Sequence, residues 1–181
     1  MGLFDRRSGR RLTEGEAAMA RVVFGAALDP EPVRIHARGF FPFGLQHRHT
    51  AVTPNGQIYF PAAHARPDFA QASPTDQHWF MHELVHVWQY QLGYPVMLRG
   101  AVRLFLGYRY VLAPQRRLGD YNMEAQGDLL ADYFVLRHLG APQAMRQREY
   151  ADALPLFDTV LQDFLADPAA RIHLPAWRSR G

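Results

Sequence analysis

The sequence predicts an α+β domain, mainly helical, with a small antiparallel β-sheet or hairpin. Three observations carry that prediction. Two long windows, opening at Ser73 and Asn122, begin with helix-start residues and end at glycines. A tight-turn dipeptide, Asn55-Gly56, lies between two β-prone runs. The chain of 181 residues is 48% apolar and 20% charged, a balance that supports one domain with a real core.

Taken in order, residues 1–12 show neither helix nor strand pattern and are expected as a flexible segment before a domain spanning 13–168. Thr13-Glu14-Gly15-Glu16 has the form of a capping box, and Ala17 to Phe24 places apolar residues at helical spacing, so a helix is predicted over 14–25. After the Asp29-Pro30-Glu31-Pro32 break, VRIHARGF reads as a short strand. In TAVTPNGQIYFP, Asn55-Gly56 predicts a hairpin whose second arm, Gln57 to Phe60, ends at Pro61. A proline cannot donate to a ladder, so that arm is expected at a sheet edge. Ser73-Pro74-Thr75-Asp76 then supplies an N-cap, a proline at the first helical position and an early acid; the helix should run to Leu92, with Gly93 as its stop. Met97 to Leu112 fits either a helix or a hairpin. Asn122 to Leu139 is strongly helical and stops at Gly140, and two further helices are predicted over Gln143–Asp152 and Leu156–Ala166. Residues 169–181 read as a loosely held tail.

Composition excludes several functions. There is no cysteine, so disulfides, thiolate metal sites and cysteine nucleophiles are absent, and any metal must rest on His, Asp and Glu. No apolar run approaches the roughly 20 residues of a membrane span, and MGLFDRRSGRR lacks the apolar stretch of a secretory signal. Arg6 stands where a myristoylated Gly2 needs Ser or Thr. A cytoplasmic protein is expected, with non-classical export left open. The formal charge is +3 and all 20 basic residues are arginine, but no arginine cluster joins a nucleic-acid motif, so they read as solvated surface without a specific nucleic-acid partner.

Within the first long helix, FMHELVHVWQYQ contains His82-Glu83-x-x-His86. Residues four apart share a helix face, so both imidazoles can meet one zinc ion, Zn²⁺. Glu83 is placed to act as general base towards a zinc-activated water. A catalytic zinc site needs a third protein ligand. Glu124 and Asp128 lie four apart in the second long helix; Glu124 would complete a His, His, Glu set, and Asp128 would orient a ligand histidine from behind. Rival third ligands are His64, His78, His138 and Asp128 itself. His78 is the nearest rival, but three ligands on one straight helix would spread along about 12 Å. Tyr121 is the candidate for stabilising a developing oxyanion, with Tyr108, Tyr110 and Arg109 as alternatives. The arm Gln57, Ile58, Tyr59 and Phe60 is a candidate substrate contact, because an extended peptide can add to an open edge.

These two helices together resemble zincin metallopeptidases of the glutamate-ligand branch, the gluzincins, in which a downstream helix supplies E-x-x-x-D. The metzincin pattern is excluded, since Gln89 occupies its glycine position and Leu92 its last histidine position. More closely, LTEGEAAMARVVFGAALD, VRIHARGFFPF, TAVTPNGQIYFP, FMHELVHVWQYQLG, YRYVL and DYNMEAQGDLLADYF are similar to bacterial Vgr-related proteins, associated with Rhs/Vgr elements and type VI secretion. The similarity spans Leu12 to Phe134 and thins beyond. The resemblance implies a zincin-like fold and a zinc metallopeptidase acting on a peptide or protein substrate. The rival is an accessory or interaction protein of a Vgr/Rhs secretion system whose zinc site is structural or vestigial.

Overall fold

The computed structural model describes residues 9–41, 49–100 and 107–176. Five α-helices and one two-stranded sheet frame it: α1 (Glu14–Phe24), β1 (Ile35–His36), β2 (Ile58–Tyr59), α2 (Pro74–Gln91), α3 (Val96–Gly100), α4 (Met123–Arg137) and α5 (Leu154–Ala166). Short 3₁₀ turns join them.

Local chemistry starts each long helix as expected. Thr13 Oγ1 accepts from Glu16 N, and Glu16 Oε2 accepts from Thr13 N at 2.9 Å, so the capping box closes. Glu16 is fully buried, and its carboxylate also receives both arms of the Arg10 guanidinium at 2.6 Å. Arg10 further bridges Ile35 through its backbone. This buried fork anchors Arg10 to α1; residues 1–8 of the expected flexible stretch lie outside the described residues. Ser73 caps α2 with Pro74 in the first turn, and Asn122 caps α4 by accepting from Glu124 N and Ala125 N, both at 3.0 Å.

The sheet departs from expectation. β1 and β2 are parallel, with Ile35 opposite Ile58 and His36 opposite Tyr59. The Asn55-Gly56 turn does fold the chain back: Val52 and Tyr59 exchange backbone hydrogen bonds at 3.2 and 3.0 Å, and Gly56 has φ 73°. That antiparallel contact is a single bridge. The other side of β2 is taken by β1, through Ile58 N to Arg34 O and Phe60 N to His36 O, both 2.9 Å. Gln57 to Phe60 thus has neighbours on both sides and is not an edge. The signal in Asn-Gly is local, whereas β1 arrives from a distant part of the chain.

A second departure follows α4. In place of a helix over Gln143–Asp152 there are 3₁₀ turns at Pro142–Ala144 and Arg148–Tyr150. The reason is a competing acceptor: Arg146 N and Gln147 N donate to the Asp132 carboxylate at 2.5 and 2.9 Å, not to a preceding helical turn. The C-terminal segment is also tied down as far as the described residues reach. Gln126 Nε2 donates to His173 O and Trp88 Nε1 to Pro168 O. Within the Met97–Leu112 window, α3 is helical to Gly100, residues 101–106 lie outside the described residues, and 107–112 carry no regular element.

The core sits where α2 and α4 pack together, flanked by α1 and α5. Phe24, Trp88 and Phe164 pack face and edge, with Phe24–Trp88 centroids 5.9 Å and Trp88–Phe164 centroids 5.4 Å apart. Burying a Phe or Leu here, such as Phe24, Phe164 or Leu84, stabilises the fold by about 1.5–3 kcal/mol each. Every residue of α4 from Met123 to Val135 is buried, including Glu124, Gln126, Asp128 and Asp132. Buried polar groups need partners. α2 supplies one to each of these four, His82 to Glu124 and Asp128, Gln89 to Gln126 and His78 to Asp132.

Candidate metal centre

α2 and α4 run antiparallel, each with polar residues at four-residue spacing along its contact face. Read along that face, His78 meets Asp132, His82 meets Asp128 and Glu124, and His86 meets Glu124. Four-residue spacing keeps each stripe on one helix face, which is why the ladder forms.

Three ligand atoms converge near its centre. His82 Nε2 lies 3.1 Å from His86 Nε2 and 3.3 Å from Glu124 Oε2, and His86 Nε2 lies 3.5 Å from the same oxygen. A tetrahedral zinc site with arms of ~2.0–2.1 Å has edges of about 3.3–3.4 Å, so the three donors fit one ion. The far nitrogens are already committed. His82 Nδ1 donates to Asp128 Oδ1 at 2.8 Å, and His86 Nδ1 donates to Gln89 Oε1 at 2.8 Å. The Gln89 amide is oriented by donating from Nε2 to Gln126 Oε1 and Met123 O. Both rings are therefore fixed with Nε2 aimed at the shared point, as outer partners of metal-bound histidines do. Two imidazole nitrogens and a carboxylate at these distances repel one another unless a cation lies among them.

Electrostatics express the same demand. Burial disfavours a charged His82, but hydrogen bonds to Asp128 and then Glu124 outweigh it and raise the pKa to about 10. For Glu124, burial pushes the pKa up, yet the His86 and His82 rings hold the carboxyl well below the usual carboxylate range. A proton on His82 is the cation that a metal would displace.

Glu83 lies 1% exposed beside this point, and Thr53 Oγ1 donates to its Oε2 at 2.6 Å. Its other oxygen, Oε1, makes no hydrogen bond among the described residues. A cleft of ≈ 400 Å³ opens over His82 and Glu83, walled by Trp79, Tyr108, Arg146 and Arg148 among others.

Of the residues singled out in the sequence, His82, Glu83, His86, Glu124 and Asp128 are brought together. The rival ligands go elsewhere: His78 Nε2 pairs with Asp132 at 2.7 Å, His64 faces His49 at 3.1 Å, and His138 packs on Tyr133 and Phe134. Tyr121 is turned away. Its buried hydroxyl donates to Val111 O at 2.8 Å, and burial pushes its pKa up to about 12 despite Arg116. Tyr108 is the tyrosine on the cleft, its ring centroid 6.2 Å from that of His82. Tyr110 is spent on Asp132, and Arg109 on Glu149. Ile58, Tyr59 and Phe60 are buried within the sheet, so the Gln57–Phe60 arm offers no open edge to substrate.

Thr53, Gln89 and Gly127 do not stand out in the sequence. A Cβ at Gly127 would lie 2.6–2.9 Å from the His82 ring atoms, so only glycine lets α4 approach that imidazole. The signal was present as a glycine inside a helical window, between Glu124 and Asp128.

Fold and centre together define a mainly helical α+β domain with a His, His, Glu cluster that could hold a metal ion. No family model matches the chain. A spike protein of the type VI secretion system of Pseudomonas aeruginosa, VgrG2b, is 38% identical over 162 residues. That match takes in 86% of this chain but 16% of the spike protein. The solved effector domain of Pseudomonas aeruginosa VgrG2b superposes with a TM-score of 0.66 at 37% identity, covering 81% of this chain and 84% of that one. The chain belongs to the family of the VgrG2b effector domain.

Proposed function

We propose that this protein is a zinc-dependent hydrolase of peptide bonds, an effector domain of a Vgr-type secretion system. The observation that carries the reading is the convergence of His82 Nε2, His86 Nε2 and Glu124 Oε2 within 3.5 Å of one another, with His82 also lining a cleft. His82, His86 and Glu124 would hold the ion. Zinc supplies a Lewis acid that lowers the pKa of water and polarises a carbonyl. Asp128 and Gln89 keep the two rings oriented. Glu83, held through Oε2 by Thr53, receives the proton at Oε1 and returns it to the leaving nitrogen. A cleft reaching His82 and Glu83 favours catalysis over a purely structural ion, which would be enclosed by four protein ligands. The reading is tested with Glu83→Gln and a mixed peptide library analysed by mass spectrometry. Cleavage by the wild type, lost in Glu83→Gln at equal zinc content, is expected. Cleavage that persists in Glu83→Gln rules out this base, and no cleavage by zinc-loaded wild type rules out the hydrolase.

A further inference from the structure

We infer that Arg146 and Arg148 form a carboxylate-binding subsite on the cleft wall. The substrate would then carry an acidic side chain or a free α-carboxylate within a few residues of the bond that is cut. This rests on the peptide-hydrolase reading and specifies its substrate class.

Both arginines line the cleft that exposes His82 and Glu83. Neither is held in a close ion pair. The Arg146 side chain is 67% exposed, and its ion pair is a loose one, Nε to Asp128 Oδ2 at 3.8 Å. Arg148 is exposed, and its side chain forms no hydrogen bond or ion pair among the described residues. The neighbouring acid, Glu149, is taken by Arg109 at 2.6 Å. Each of the two carboxylates that line the cleft has one oxygen engaged, Glu83 Oε2 by Thr53 and Asp128 Oδ1 by His82. Two cationic forks therefore line a cleft in which the loose Asp128 contact is the one ion pair either makes among the described residues, and a guanidinium fork matches a carboxylate in two parallel hydrogen bonds.

The backbone that carries them is fixed. Asp132, fully buried on α4, takes Arg146 N and Gln147 N as well as His78 Nε2 and the Tyr110 hydroxyl. Gln147 Nε2 adds a bond to Tyr110 O at 2.9 Å. This clamp replaces the helix that the sequence suggests over these residues, and it holds the arginines against the helix that bears Glu124 and Asp128. A preorganised backbone lowers the ordering cost of binding.

Position sets the register. Arg146 approaches Oδ2 of the same Asp128 whose Oδ1 receives His82 Nδ1. The guanidinium is thus one carboxylate removed from a ligand ring. An extended peptide advances ~3.3 Å per residue, so the recognised carboxylate belongs to a residue within a few positions of the scissile bond.

The test uses the zinc-loaded full chain and blocked hexapeptides, acetylated and amidated, with Glu or Gln scanned through each position. A neutral hexapeptide with an unblocked C-terminus separates a terminal carboxylate from a side-chain one. Wild type should favour the carboxylate by about tenfold in kcat/KM at one position or at the terminus, and Arg146→Gln/Arg148→Gln should bring the ratio within about twofold. Equal treatment of all three peptide types by wild type, or a preference that survives the double substitution, overturns the subsite. If nothing is cleaved, the hydrolase reading fails separately, and calorimetric binding of the same peptides to Glu83→Gln decides the subsite by the same ratio. A Glu preference lost on adding Arg146→Gln/Arg148→Gln upholds it, and equal binding overturns it.

Discussion

Replacing Gly127 by alanine is the sharpest single-atom test of how α4 serves the centre. The added methyl would sit 2.6 Å from His82 Cε1, 2.7 Å from Nδ1 and 2.9 Å from Nε2. Ordinary contact needs about 3.5 Å or more between carbon atoms, so ring and helix must separate by nearly 1 Å. The ring cannot swing freely, because Asp128 holds Nδ1 at 2.8 Å and Glu124 lies 3.3 Å from Nε2. Alanine gains about 0.8–1 kcal/mol of helix propensity over glycine. Overpacking costs about 1–3 kcal/mol against that gain, so the net change in stability is modest. The ligand set suffers more. Losing the outer partner's alignment lowers metal affinity by about 10–100-fold. Zinc affinity measured by competition with a chelator, alongside thermal unfolding, separates the two effects. Zinc affinity within twofold of wild type would refute the close packing of Gly127 on His82.

Three further predictions concern proton, base and scaffold. His82 has a folded pKa of about 10, above its ordinary 6.5, so the metal-free fold binds the extra proton. The stability this contributes is fully present below about pH 6.5 and is lost as pH rises towards 10. Zinc must displace that proton, so apparent affinity should rise about tenfold per pH unit between 7 and 9, measured by titration calorimetry in buffers of differing ionisation enthalpy; a flat profile contradicts this. Thr53→Val strips the donor from buried Glu83, and urea unfolding should report a loss of about 1.5–3 kcal/mol, an unchanged midpoint contradicting this. Asp132→Ala leaves His78, Tyr110 and two backbone amides without their acceptor, and urea unfolding should report a loss of about 3 kcal/mol or more. An unchanged midpoint would mean that the clamp on the Arg146 segment is not needed.

The sequence made some of this legible and hid the rest for identifiable reasons. Thr13, Ser73 and Asn122 announce α1, α2 and α4 because caps act within three residues, and the four-residue spacing of His82, His86, Glu124 and Asp128 follows from the helix repeat. Thr53, Gln89 and Gly127 act across contacts between distant segments, which no local pattern encodes. The direction of the sheet was hidden for the same cause: Asn55-Gly56 specifies its own turn but not that β1 pairs in parallel with β2. Tyr121 is near Glu124 in sequence, yet a residue just before a helix start can face away from it, and its hydroxyl donates to Val111 O. The helix predicted over Gln143–Asp152 gave way to Asp132, a buried acid whose need for donors exceeds the local preference for helix.

The most direct measurement is a crystal structure of the zinc-loaded protein with the metal identified by anomalous scattering at its absorption edge. One zinc within ~2.0–2.2 Å of His82 Nε2, His86 Nε2 and a Glu124 oxygen, with its next position open to the cleft beside Glu83, is the predicted result. A metal enclosed by four protein side chains, or one bound away from Glu124, would contradict it.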